Sequence, residues 1–262
     1  MLPSVRFPYR GWIFDLDGTV YRGETLIPGA ALVIEALRRD GRKVIFLSNK
    51  PIQTRQAYAQ KLTRLGIPTA AEEVINSSLV LARYLRRLDP GASCFVIGEP
   101  PLIAELEAHG LVVRETPDVK WVVIAFDRTF TYAKLNTALQ AVRRGARLIA
   151  TNPDRTCPTE DGEIPDCAGM MAAVEAVTGK RVEVVVGKPS PVILEAALEA
   201  LGLPPSECVM VGDRIETDMA MGKELGLGTI LVLSGITSAS DPGIGTLSPD
   251  HVLGSIREIL RP

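Results

Sequence analysis

Histidine is almost missing from this chain of 262 residues, which holds only His109 and His251. A Ser–His or Cys–His relay would need one of them, and no G-x-S-x-G string presents a serine for it. Both read as surface or packing residues. Cysteine is scarce as well. Cys94, Cys157, Cys167 and Cys208 are scattered, and no two have C-x-x-C spacing. That removes zinc and thioredoxin-like readings and leaves reduced thiols. No excess of one charge exists, since 29 Lys+Arg face 31 Asp+Glu for a net charge of −2. A nucleic-acid or anionic-membrane partner is therefore not expected. No apolar run approaches the roughly 18 residues of a membrane span. The opening residues MLPSVRFPYRGW lack the apolar stretch and small residues of a secretory signal, so a cytoplasmic location is expected. Without such a signal the sequon Asn76-Ser77-Ser78 is empty. The lone G-x-G at Gly226-Leu227-Gly228 lacks its third glycine, and Gly187-Lys188 lacks the earlier glycine of a Walker loop.

What the chain does have is ordinary globular material, 46% hydrophobic and 23% charged. Its length suits one large domain or two modest ones. Short apolar runs rich in Val and Ile recur at 12–16, 43–47, 94–97, 121–126, 146–150, 182–186, 208–211 and 229–233. Nearly continuous runs of this kind read as strands buried on both faces. Between them lie amphipathic stretches at 29–39, 53–65, 79–88, 132–144, 170–177, 192–201 and 217–225, several of them stopped by glycine. Alternating strand and helix predicts an α/β fold with a largely parallel sheet. Polar motifs cluster before about residue 50 and after about residue 187, with further strands and helices between. The expected organisation is a Rossmann-like core, 1–78 and 183–262, interrupted by an inserted α/β domain, 79–182.

Four strand ends carry chemistry. The first reads Asp15-Leu16-Asp17-Gly18-Thr19-Val20. Ligands in open α/β sheets bind beyond the carboxyl ends of strands. Side chains alternate in an extended chain, so Asp15 and Asp17 start toward one side. Their mutual repulsion calls for a cation, and Mg²⁺ prefers such hard oxygen ligands. The second is Ser48-Asn49-Lys50-Pro51, where a hydroxyl, an amide and a helix expected just after Pro51 would suit a phosphate oxygen. The third is Gly187-Lys188-Pro189-Ser190, with an ammonium able to meet a phosphate and a carboxylate together. The fourth is Gly212-Asp213-Arg214-Ile215-Glu216-Thr217-Asp218, whose Asp213 and Asp218 could complete a metal site directly or through water. Each has a bland alternative: an acidic turn, a helix cap, a surface lysine or an N-capping aspartate.

Taken together, Asp-Asp, Ser, Lys and Asp-Asp at four strand ends resemble the haloacid dehalogenase (HAD) superfamily. An insertion between Ser48 and Lys188 resembles its subclass with a large α/β cap, the C2 type. The strings Ile149-Ala150-Thr151-Asn152-Pro153-Asp154, Asp161-Gly162 and Val186-Gly187-Lys188-Pro189-Ser190 are similar to its NagD-like and 4-nitrophenylphosphatase branch, which includes sugar phosphatases. Similarity runs over essentially the whole chain. One departure is Lys50, where many relatives carry a second asparagine.

The resemblance implies a Mg²⁺-dependent phosphatase of small phosphate monoesters, whether sugar phosphates, nucleotides, phosphoglycolate or 4-nitrophenyl phosphate. It assigns Asp15 as nucleophile and site of an aspartyl phosphate. Asp17 becomes the acid–base residue. Mg²⁺ would be held by Asp15, the Asp17 carbonyl and Asp213, with Asp218 in support behind them. Ser48, Asn49, Lys50 and Lys188 would meet the phosphate. In the cap, Asn152 and Asp154 would meet substrate, and Arg155 and Glu160 are further candidates for selectivity. Cap-mediated homodimers are also implied. A dehalogenase would not need Asp17, and a phosphonate hydrolase would need a lysine from a small helical cap. The alternative from another class is a phosphometabolite-binding protein that has no turnover.

Overall fold

The apolar run at 12–16 becomes the strand Gly11–Asp15, with all five residues buried. Trp12 and Phe14 join one hydrophobic cluster while Ile13 joins another, so the strand is covered on both faces as its unbroken pattern requires. This computed structural model describes residues 4–159 and 162–261. Glu160 and Asp161, both part of the sequence reading, lie outside the described residues.

Gly11–Asp15 sits at the centre of a six-stranded parallel sheet. The spatial order is His251–Leu253, Gly228–Val232, Cys208–Gly212, Gly11–Asp15, Lys43–Ser48 and Val74–Asn76. The register pairs Ile13 with Met210 on one side and with Ile45 on the other. From Gly11–Asp15 the chain winds outward through Lys43–Ser48 and Val74–Asn76. After the insertion it returns to the opposite flank and winds outward again. The order therefore reverses between Gly11–Asp15 and Cys208–Gly212, and such a switch point opens a crevice at the carboxyl ends. Asp15 and Asp213 stand on its two sides.

The insertion builds a second parallel sheet of five strands, ordered Val184–Val185, Arg147–Ala150, Trp121–Ile124, Ser93–Ile97 and Val112–Val113. The fold class is thus α/β with an inserted α/β cap. One expectation needs moving. Val184–Val185 pairs with Ile149–Ala150 in the cap sheet, so the return to the core sheet falls later than residue 183.

Local chemistry fixes the helix starts. Thr54 accepts from Ala57 N at 3.1 Å, Asn76 from Leu79 N at 3.0 Å, and Asp166 from Cys167 N at 2.5 Å. Each such cap is worth about 1 kcal/mol. Thr54 also corrects the reading of the second motif. The helix there is Arg55–Arg64, so it starts four residues after Pro51 and not directly behind it. Two antiparallel hairpins were not expected. Tyr21–Arg22 pairs with Thr25–Leu26 beside the first motif, and Thr156–Thr159 with Gly162–Pro165 in the cap. Among the described residues no helix is long and apolar enough to cross a membrane.

Candidate active site

Lys188 organises the site. It arrives just beyond Val184–Val185 and is 3% exposed. Its Nζ bonds Asp15 Oδ1 and lies 2.7 Å from Asp218 Oδ1. Burial alone would lower its pKa, but the carboxylates of Asp15 and Asp218 outweigh burial and hold it above its ordinary value. The ammonium stays charged and fixes the direction of Asp15. Asn49 in turn fixes the lysine backbone, since its Oδ1 accepts from Lys188 N at 2.8 Å and its Nδ2 donates to Lys188 O at 3.1 Å.

Asp213 approaches from the other side of the switch point. Its Oδ2 accepts from Ile236 N at 2.7 Å. A Cβ at Gly18, where φ is +88°, would come within 2.5 Å of that oxygen, and a Cβ at Gly235 would overlap the carboxylate outright. Glycine at both places is what lets Asp213 enter. Asp218 is carried by a short π-helical turn, Ile215–Met219, and accepts from Arg214 N at 3.1 Å. Such turns often occur at functional sites.

Carboxylate oxygens of Asp15, Asp213 and Asp218 all lie within 4.8 Å of one another. Burial, then the charges of Asp15 and Asp218, pushes the Asp213 carboxyl upward. Three hard oxygen donors in one buried place, only partly neutralised by Lys188, fit a divalent cation. Asp218, expected as a support behind the ligands, brings a carboxylate oxygen into the same cluster. The Asp17 side chain instead turns to Lys50 Nζ, 3.0 Å away.

Asp15, Asp17, Ser48, Asn49, Lys50, Asp154 and Lys188 line one cleft with Arg214 and the cap residues Thr156, Cys157 and Pro158. Ser48 Oγ accepts from Lys50 N at 3.2 Å. Side-chain bonds cross from core to cap here. Asn49 Nδ2 donates to Asp154 Oδ2 at 3.1 Å, and Arg214 Nη2 donates to Thr156 O at 3.0 Å. Asn152 does not contact the cleft as expected. It is 0% exposed, and its Nδ2 bonds Asp154 Oδ2 and Asp166 Oδ1, both at 3.1 Å. It braces Asp154. Arg155 is exposed and faces a neighbouring cavity. The sequence reading missed Arg214, Cys157, Thr156 and Pro158. Arg214 was within reach, being next to Asp213 in a motif already singled out.

Models of two families match the chain: haloacid dehalogenase-like hydrolase over residues 12–112, and HAD-hydrolase-like over residues 185–259. The chain is also 43% identical over 252 residues to the sugar-phosphatase AraL of Bacillus subtilis, covering 96% of this chain and 92% of AraL. It belongs to the haloacid dehalogenase-like hydrolases. Among solved HAD structures it is similar to a p-nitrophenyl phosphatase from Archaeoglobus fulgidus, with TM-score 0.91, 36% identity, and coverage of 97% of this chain and 98% of that one. It is likewise similar to NagD from E. coli K-12, with TM-score 0.85, 32% identity, and coverage of 96% and 98%. This HAD protein is a hydrolase of phosphate monoesters, and the reading as a binding protein without turnover gives way. HAD phosphatases generally use a divalent metal, in keeping with the aspartate cluster.

Proposed function

We propose that this hydrolase moves the phosphoryl group of a small organic phosphate to Asp15 and then to water, with Mg²⁺ as its metal. The carrying observation is the meeting of Asp15 with Lys188, Asp213 and Asp218, drawn from three distant segments. Lys188 aims Asp15 Oδ1, which leaves the other carboxylate oxygen to attack phosphorus. The P–O bond to the alcohol breaks as the bond to Asp15 forms, and Asp17 gives the leaving oxygen a proton. Asp17 then takes a proton from the water that attacks the aspartyl phosphate, which releases inorganic phosphate and restores Asp15. The Ser48 hydroxyl and the Lys188 ammonium hold phosphoryl oxygens. Asp15, the Asp17 carbonyl and Asp213 would hold the Mg²⁺, and Asp218 steadies Lys188 beside them. When bound, the metal offsets the charge between nucleophile and phosphate.

Sugar phosphates and 4-nitrophenyl phosphate are the first substrates to examine, because the relatives are named for them; nucleotides and phosphoglycolate complete the range. The catalytic unit is taken as 1–78 with the chain after Val185, and the cap as 79–185, because Val184–Val185 pairs in the cap sheet. Four free, buried cysteines accord with a reducing compartment, and we place the protein in the cytoplasm. The test is Asp15→Asn. Acid-quenched wild-type enzyme should carry phosphate on the protein, and the variant should carry none and release no phosphate while melting normally. A variant retaining a tenth of wild-type turnover would remove Asp15 as nucleophile.

A further inference from the structure

Two cavities adjoin the phosphate cleft, and the leaving alcohol can enter only one of them in the reaction proposed above. The first contains Asp17, with Arg22 and Gly23 of the hairpin after the nucleophile, Pro158 and Thr159 of the cap, and Ile236; its volume is about 170 Å³. The second, about 450 Å³, lies beyond Asp154 and Arg214 and includes Arg155 but neither Asp15 nor Asp17. The proton donor must reach the oxygen that leaves, at hydrogen-bond distance or through one water. The alcohol therefore departs on the side of Asp17, into the first cavity, although the second is larger.

The walls of that first cavity carry little charge that is free to act on an alcohol. Asp17 is matched by Lys50 at 3.0 Å. Asp213 belongs to the aspartate cluster. Thr159 Oγ1 donates to Gly162 O at 3.0 Å, within its own hairpin. Pro158, Ile236 and the glycines offer shape alone. Arg22 differs. Its Nη2 donates to a backbone carbonyl, Ser234 O, at 2.6 Å, and among the described residues no carboxylate pairs with it. A guanidinium has five N–H donors in a planar fork, so most of them remain for a ligand. The Ser234 contact holds the arginine against the rim without cancelling its charge.

We propose that Arg22 is a specificity-determining residue, and that it favours phosphate esters whose alcohol bears a second anionic group, a carboxylate or another phosphate. A neutral hydroxyl can also accept from the guanidinium. A carboxylate or phosphate accepts two parallel, charge-assisted bonds, each about twice as strong as a neutral one. The inference rests on Asp17 acting as the proton donor, since that fixes the side on which the alcohol leaves.

The test uses matched pairs of esters and reads the ratio of kcat/KM within each pair. 2-Phosphoglycolate is compared with ethyl phosphate, and fructose 1,6-bisphosphate with fructose 6-phosphate. In wild type the anionic member should be preferred. Arg22→Gln should lower that preference by about tenfold or more, the lower end for losing one hydrogen bond to a charged group. Arg22→Lys keeps the charge without the fork and should retain part of the preference. Arg22 is exposed on a two-residue strand, and unchanged melting temperatures would show that both variants fold. A ratio unmoved by Arg22→Gln would overturn the inference. So would an Arg155→Gln variant that moved the ratio instead, because the alcohol would then occupy the other cavity. Turnover of 4-nitrophenyl phosphate is followed alongside. Wild-type enzyme inert toward every ester would sink the phosphatase reading itself, whereas brisk turnover with an unmoved ratio would sink only the role of Arg22.

Discussion

Gly235→Ala adds a single methyl group directly against Asp213. The new carbon would overlap the carboxylate and lie 2.6 Å from Asp213 Cβ. Carbon atoms in contact settle at about 3.5–4.0 Å, so the two groups must part by about 1 Å. Asp213 has little room to yield. Ile236 N bonds its Oδ2 at 2.7 Å, and the strand leading to it is paired on both edges. Misplacing a group at a phosphoryl-transfer site by about 1 Å can cost on the order of 10²-fold in rate. The expected result is a fall of roughly that size in kcat/KM for 4-nitrophenyl phosphate, with more Mg²⁺ needed for half-maximal activity. Overpacking of this kind also costs about 1–3 kcal/mol of stability, visible as a modest loss in a thermal melt. The control is Gly169→Ala in the helix Cys167–Thr178, where the added Cβ meets nothing within 4 Å. It should leave kcat/KM alone and raise stability by about 1 kcal/mol. If Gly235→Ala stayed within about threefold of wild type with its Mg²⁺ requirement unmoved, the reasoning that a fixed Asp213 sets the rate would be refuted.

Three further outcomes are expected. Asp17→Asn should slow turnover by about 10²–10⁴-fold, yet with 4-nitrophenyl phosphate it should show a burst of nitrophenolate, because that group leaves without a proton; rapid mixing that finds no burst and no stored phosphoenzyme would make Asp17 a metal-site residue only. Chelation should abolish activity and Mg²⁺ restore it, with Ca²⁺ a poor substitute because it takes more ligands at longer range; full activity after exhaustive chelation would remove the metal from the scheme. Asp166 is held above its ordinary carboxylate range, chiefly by burial, so the folded state keeps its proton longer than the unfolded chain. Its contribution therefore falls as pH rises from the ordinary carboxylate pKa through the folded value. Asp166→Asn, which keeps the acceptor for Cys167 N, should flatten that part of a curve of melting temperature against pH, and an unchanged slope would show that Asp166 does not cause it.

The core of this site was legible because its chemistry sits where periodic strands stop. Asp15, Lys188 and Asp213 each end or follow an apolar run, and an apolar run needs no partner to be recognised. The pieces that escaped are set by partners. Thr156–Thr159 contains a proline and alternates poorly, and it becomes a strand only because Gly162–Pro165 lies beside it. With that hairpin unseen, Cys157 and Pro158 could not be placed in the cleft. Asn152 had the right composition for a substrate contact, but nothing in the sequence shows that its amide is buried between Asp154 and Asp166, two and fourteen residues further along. The return from cap to core was read too early because Val184-Val185-Val186 looks the same in either sheet, and only the pairing with Ile149–Ala150 decides it.

The strand order also bears on how the chain is made. Gly11–Asp15 leaves the ribosome before its neighbours; Lys43–Ser48 follows to cover one of its edges, and Val74–Asn76 pairs beyond that. Its other neighbour, Cys208–Gly212, comes only after the whole insertion. At about 5–20 residues synthesised per second, that wait is on the order of ten seconds. For that time the most central strand of the finished protein is an edge strand, with a row of unpaired backbone groups open to other chains. The cap sheet meanwhile closes from consecutive segments and can finish while the core is half built. The aspartate cluster waits as well, since Asp15 meets Asp213 and Asp218 only when that same late segment arrives.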